Sequence, residues 1–197
     1  EDEENLPITI NLKFKKDFLK ASFGKLYGSA GTRDRYEAGG LFNTFQDTLQ
    51  MSFLGFGNNI NRQSFDYNEL NQHGGLDRAE NYGFGDFGGR NYNGKANDMA
   101  VGFNLNNDWG KKTKLNIMYM LKYNKNESQN SSNQTALYGD QKQFSEGDFE
   151  GLTKKNDHFI KSLFRHRFDT TAYVEFIPNL NISNNKNNNQ YNSHLFT

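Results

Sequence analysis

The chain has few of the features on which most protein classes depend. It contains no cysteine, which excludes a disulfide framework, a thiolate metal site and thiol catalysis. Lys and Arg together number 23, as do Asp and Glu, so no excess of positive charge favours nucleic acid as a partner. Only 34% of the 197 residues are hydrophobic, and no apolar run is long enough for a transmembrane helix. A soluble domain of this composition would have a poor core.

What the chain does contain is a series of segments with strand character. Its two prolines and 19 glycines favour extended strands and permissive turns over helices. The predicted strands are Ile8–Lys15, Phe18–Gly31, Arg35–Phe45, Thr48–Asn59, Asp98–Asn106, Thr113–Lys125, His158–Phe168 and Thr170–Ser183.

The connections between these segments alternate between short and long. Gln46–Asp47, residues 107–112 and Asp169 are predicted tight turns, whereas residues 60–97 and 126–157 are predicted long polar loops. Short periplasmic turns and long extracellular loops are typical of proteins that cross an outer membrane with strands. The sequence therefore predicts an all-β fold, an antiparallel transmembrane β-barrel.

Apolar and polar residues alternate most clearly in two segments. The apolar sets, predicted to face lipid or a core, are Val101, Phe103 and Leu105 in one segment and Leu115, Ile117, Tyr119, Leu121 and Tyr123 in the other. Because only every second strand residue of a barrel faces lipid, its average hydrophobicity is low, which agrees with this composition. Residues 48–59 and 158–168 carry apolar residues on both faces, so the sequence leaves their orientation open.

Four stretches resemble one family of membrane proteins. Residues 10–16, Ile-Asn-Leu-Lys-Phe-Lys-Lys, resemble the closing strand of the plug domain in TonB-dependent outer-membrane receptors. Residues 28–39, 58–61 and 106–112 are similar to segments of the outer-membrane β-barrel proteins of this type in Bacteroidetes-like bacteria. The resemblance implies that residues 1–17 are the end of a plug domain with its linker, and that residues 18–197 are the N-terminal part of the barrel.

The resemblance also implies a size and an orientation. Such receptors close with about 22 strands, so the chain is expected to be a fragment of a larger receptor; a small closed barrel of eight strands is the alternative. The acidic start, Glu1–Asn5, has no apolar core behind it, so we expect a mature product or an internal piece of a longer chain. With the plug at the start, every long loop falls outside the cell and every tight turn on the periplasmic side.

No catalytic, cofactor or metal site is predicted, and no enzyme activity. His158 and His166 share one strand face but lie about 26 Å apart by strand rise, too far for shared ligation. The best binding candidate is the aromatic and glycine-rich part of the first long loop, through Tyr82, Phe84, Asp86, Phe87, Arg90 and Tyr92. These aromatic faces and polar groups suit a sugar or a peptide, although the aromatic residues could instead pack on neighbouring loops. Trp109 is predicted to anchor the strand ends at the membrane interface.

Three functions remain open at this stage. The first is energy-coupled uptake of an oligosaccharide, peptide or metal chelate through a barrel in the bacterial outer membrane. The resemblance implies outer-membrane lipid, a TonB-type energiser acting through the plug, and a surface lipoprotein as partners, and no nucleic acid. The second is a structural or assembly subunit of an outer-membrane complex, and the third is a soluble all-β carbohydrate-binding or adhesive module.

Overall fold

Eight strands form a single antiparallel sheet in the computed structural model, which describes residues 20–62, 94–139 and 141–196. The strands are β1 (Lys20–Ala30), β2 (Tyr36–Gln46), β3 (Leu49–Asn58), β4 (Lys95–Trp109), β5 (Thr113–Tyr138), β6 (Gln141–Arg167), β7 (Tyr173–Phe176) and β8 (Asn179–Phe196). The all-β, antiparallel prediction is therefore confirmed. None of the described segments is a helix long and apolar enough to cross a membrane.

The strands follow the chain in order across the sheet, from β1 to β6, and both β7 and β8 pair with β6. Among the described residues β1 pairs only with β2 and β8 only with β6, so the sheet is open, with two edges. The predicted segment Thr170–Ser183 is interrupted where Pro178, which has no N–H to donate, separates β7 from β8. The carbonyl oxygen of Pro178 still accepts a hydrogen bond from the amide of Ser162, at 3.0 Å.

The second long loop was predicted wrongly. Residues 126–157 are not a loop: β5 and β6 continue as one ladder from Thr113, opposite His166, to Tyr138, opposite Gln141. A turn that includes Gly139, with φ +61°, closes the hairpin. We call residues 126–138, 141–153 and 187–196 the extension, because β8 continues beside β6 to Phe196. Residues 191–196 are therefore the end of β8.

Smaller corrections concern the other connections. Residues 95–97, predicted in a long loop, and 107–109, predicted in a tight turn, belong to β4. The predicted turn at Asp169 spans 168–172. The tight turn predicted at Gln46–Asp47 lies one residue later, at Asp47 and Thr48, with Asp47 at φ +54°. At the later turn one Asp169 carboxylate oxygen accepts hydrogen bonds from the amides of Thr171 and Ala172, both at 2.7 Å. These bonds hold the pKa of Asp169 below its ordinary value.

The predicted plug segment, residues 1–17, lies outside the described residues, as does most of the first long loop, 63–93. The two ends of that loop meet, because the amide nitrogen of the Asn61 side chain donates to the carbonyl oxygen of Gly94 at 3.0 Å. The loop therefore starts and ends at the end of the sheet from which the extension projects, as the predicted topology requires.

Gly94, the residue before β4, lies in a position that only glycine fits. Its φ is +110°, and a Cβ atom there would lie 2.1 Å from the carbonyl oxygen of Glu127 on β5. We expect Gly94→Ala to lower the free energy of unfolding by about 2 kcal/mol, from the strained dihedral and the backbone clash together. A urea titration measures it. Gly110→Ala is the control, because Gly110 also has a positive φ, +64°, but nothing within 4 Å of a Cβ atom. An equal loss of unfolding free energy in both variants would show that the clash with Glu127 does not contribute to the effect of Gly94→Ala.

Candidate functional site

One face of the sheet is covered by exposed apolar side chains. Five aromatic and aliphatic residues stand directly opposite one another across β2 to β6: Phe42, Phe53, Phe103, Tyr119 and Ile160. Phe42 and Phe53 are 47% exposed and Ile160 is 39% exposed. The rings of Phe53 and Phe103 pack with centroids 4.9 Å apart. Rows above and below add the other members of what we call the apolar face: Met51, Met99, Val101, Leu105, Leu115, Ile117, Leu121, Tyr123, Phe164, Leu180 and Ile182.

The opposite face is polar and buried, and we call it the amide face. The largest fully buried side chains of the described chain are all asparagines: Asn43, Asn58, Asn104, Asn106 and Asn116. Ser52 and Lys161 lie in the same row as Asn104 and are also buried. This distribution is the reverse of a soluble protein, in which large apolar side chains are buried and amides are exposed.

The amide face also holds the one buried apolar cluster within the described residues. It runs across the middle of the face and consists of Leu41, Leu54, Phe56, Ala100 and Met120, with Tyr27 and Phe159 packed against it. Among the described strands, only neighbours in the sheet pack together extensively.

Asn116 connects the polar side chains of two strands. Its Nδ2 donates to Oδ1 of Asn104 at 2.8 Å and to Oδ1 of Asn106 at 2.6 Å. Within the described ranges, the Oγ of Ser52, the Nδ2 of Asn104 and the Oδ1 of Asn116 are buried without a hydrogen-bond partner. Buried polar groups are normally satisfied, so this face is suited to contact with water or with a further polar group.

Towards the extension the amide face becomes charged. Arg62 Nη1 contacts Glu37 Oε2 at 3.2 Å, and Asn124 Nδ2 donates to Asp98 Oδ1 at 2.5 Å. Asp157 Oδ2 lies 3.0 Å from Lys155 Nζ, and Asp157 Oδ1 accepts a hydrogen bond from the hydroxyl of Ser183 at 2.6 Å. Because these charges are paired, this end of the amide face is polar without a large excess of one sign.

The apolar face is bounded by aromatic residues at both ends. Trp109, the predicted interface anchor, is the last residue of β4, lies on this face and is 53% exposed. At the other end Tyr123 is the last aromatic residue of β5 before Lys125. From Thr113 to Lys125 a strand rises about 40 Å, which corresponds to about 30 Å along the normal at the tilt usual in barrels. The apolar face therefore has about the height of the hydrocarbon core of a bilayer.

Of the other predicted site residues, the loop candidates Tyr82, Phe84, Asp86, Phe87, Arg90 and Tyr92 lie outside the described residues. The two histidines of β6 have separate partners: His158 Nδ1 lies 3.0 Å from the Tyr119 hydroxyl, and His166 Nδ1 lies 2.8 Å from that of Thr113. In the ranges that the structure describes, no three histidines or carboxylates are grouped to hold a metal ion.

A cleft that the sequence did not predict lies at the base of the extension. It has a volume of about 610 Å³ and is lined by side chains of β4, β5, β6 and β8, among them Lys95, Glu127, Gln129, Glu150, Asn188 and Gln190. The polar strands that form it have no apolar alternation, which is why sequence reasoning assigned them to a loop.

Comparison with known proteins adds no relative: no protein-family model, no curated protein and no solved structure matches the chain.

Proposed function

We propose that the chain forms part of the wall of a TonB-dependent-receptor-like barrel in a bacterial outer membrane, which takes up a nutrient with energy from a TonB-type partner. The observation that carries this proposal is the two-faced sheet, with exposed aromatic and aliphatic residues on one side and buried asparagines on the other. A barrel wall requires this arrangement, because its outer side contacts lipid and its inner side contacts a polar lumen.

The two open edges support the same proposal. An unpaired strand edge in lipid leaves backbone N–H and C=O groups without partners, which costs several kcal/mol for each group. The edges at β1 and β8 would therefore pair with further strands of the same barrel. The apolar face extends from β2 to β8, and at the β8 edge it still includes Leu180 and Ile182.

The location proposed here is tested by fractionation. We expect the protein to sediment with outer-membrane vesicles on a sucrose gradient and to float with phosphatidylcholine vesicles after detergent removal. Recovery in the aqueous fraction without detergent would contradict a lipid-facing surface. It would support the soluble binding module instead.

The transport function requires a separate test. A strain that lacks the gene and a complemented strain are grown on single oligosaccharides, oligopeptides or ferric chelates, each at limiting and at saturating concentration. We expect slower growth of the deletion strain on one nutrient class at the limiting concentration only, and no advantage of the complemented strain when a protonophore is added. Equal growth on every class, with the protein still in the outer membrane, would favour a structural or assembly subunit.

A further inference from the structure

Three lysines stand directly opposite one another across the last strands of the sheet. Lys125 of β5 pairs with Lys154 of β6, which in turn pairs with Lys186 of β8. They lie on the same side as the apolar face, one row beyond Tyr123. Like charges directly opposite in a sheet repel each other, so this lysine row is unfavourable unless an anion lies beside it.

Carboxylates of the chain neutralise the positive charge of the lysine row only in part. Glu127 Oε1 lies 2.5 Å from Lys125 Nζ. The hydrogen bond from Lys125, together with the charges of Lys125, Lys95 and Lys154, holds the pKa of Glu127 below its ordinary value. Among the residues that the structure describes, Lys154 and Lys186 have no ion pair. Within the row, one carboxylate therefore faces three ammonium groups.

The charges are also ordered along the strand. On this side of β6 the apolar residues Phe164 and Ile160 come first, then Lys154, and only after it a stripe of carboxylates formed by Glu150, Asp148 and Glu146. Positive charge is thus nearest to the apolar face, the stripe of carboxylates follows it, and Lys142 lies beyond the stripe near the tip of the hairpin. A bilayer has the complementary order, with a layer of phosphates directly above its hydrocarbon.

We infer that Lys125, Lys154 and Lys186 bind the phosphate groups of membrane lipids and hold anionic lipid against β5, β6 and β8. This inference rests on the proposed function, because the apolar face must lie in the bilayer for the lysine row to reach the head groups. The row also fixes the depth of the strands, since it prevents the extension from sinking into hydrocarbon and the apolar face from rising out of it.

The test uses the protein in nonionic detergent and native mass spectrometry. It is titrated separately with dioctanoyl phosphatidylglycerol and with dioctanoyl phosphatidylcholine. We expect about 25-fold tighter binding of the anionic lipid, from roughly fivefold for each of two uncompensated lysines. The variant K125Q/K154Q/K186Q should bind the two lipids about equally. K142Q is the matched control, because Lys142 lies on the same strand and the same side as Lys154 but about 40 Å away along the strand.

Equal affinity of the wild-type protein for both lipids would overturn the inference, as would a preference that survives the triple variant or is lost equally in K142Q. Flotation of the wild-type protein with neutral phosphatidylcholine vesicles separates the two proposals. If it floats but does not prefer anionic lipid, the lysine site is wrong and the proposed membrane location stands. If it does not float, the membrane location is wrong, and the lysine site falls with it.

Discussion

Leu121→Arg is expected to lower the free energy of unfolding in phosphatidylcholine vesicles by about 2–3 kcal/mol, the cost of an arginine near mid-depth on the lipid side of a barrel. Leu121 lies on the apolar face, opposite Val101 of β4, and close to the middle of its height. The measurement is a urea titration followed through the fluorescence of Trp109, which is the only tryptophan of the chain.

Leu137→Arg is the matched control for this prediction. Leu137 lies on the same strand and the same side as Leu121, but in the extension, where it is 67% exposed. A change there should stay within about 0.5 kcal/mol, as for most exposed surface positions. Similar small losses for both variants would mean that Leu121 faces water, and the membrane location would then be wrong.

Asn116→Leu is expected to cost about 2–4 kcal/mol, although leucine is the more hydrophobic residue. The Nδ2 of Asn116 is the donor for Oδ1 of Asn104 and Oδ1 of Asn106, and all three side chains are about 1% exposed. Removal of this donor takes one hydrogen bond from each of two buried acceptors, and each lost bond lowers the free energy of unfolding by about 1–3 kcal/mol. The same urea titration measures the loss.

Asn130→Leu controls for the change of residue type. Asn130 lies on the same strand and the same side as Asn116 but is exposed in the extension, so its loss should be a few tenths of a kcal/mol. If Asn116→Leu cost no more than this control, water would be reaching the amide face at Asn104 and Asn106, and the hydrogen bonds of Asn116 would add little stability.

The sequence predicted the sheet wherever apolar residues alternate with polar ones. The segments around Val101 and Leu121 have such alternation, and the structure places both on the apolar face. In residues 48–59 both faces are apolar, so periodicity could not orient the strand. The structure resolves the ambiguity: Phe53 lies on the apolar face, while Leu54 and Phe56 belong to the buried cluster of the amide face.

The extension was missed for a physical reason. Its strands are rich in Asn, Ser, Gln and Lys, and no apolar residue recurs at every second position, so nothing local distinguishes them from a polar loop. Backbone pairing among three strands holds them, and pairing between distant segments leaves little trace in local composition. The cleft and the lysine row share this cause, because cross-strand register brings their residues together.

The unbroken ladder between β5 and β6 has a consequence for how the chain can vary in length. Its register runs from Thr113 to Tyr138 without a bulge, and a shift of one residue turns every side chain beyond it to the other side. A single-residue insertion within a strand would therefore move Glu146, Asp148 and Glu150 to the opposite side of the extension. The hairpin tip at Gly139 accepts an odd number of new residues without this effect. Within the strands, an odd number requires a bulge, whereas an even number keeps every side chain on its own side.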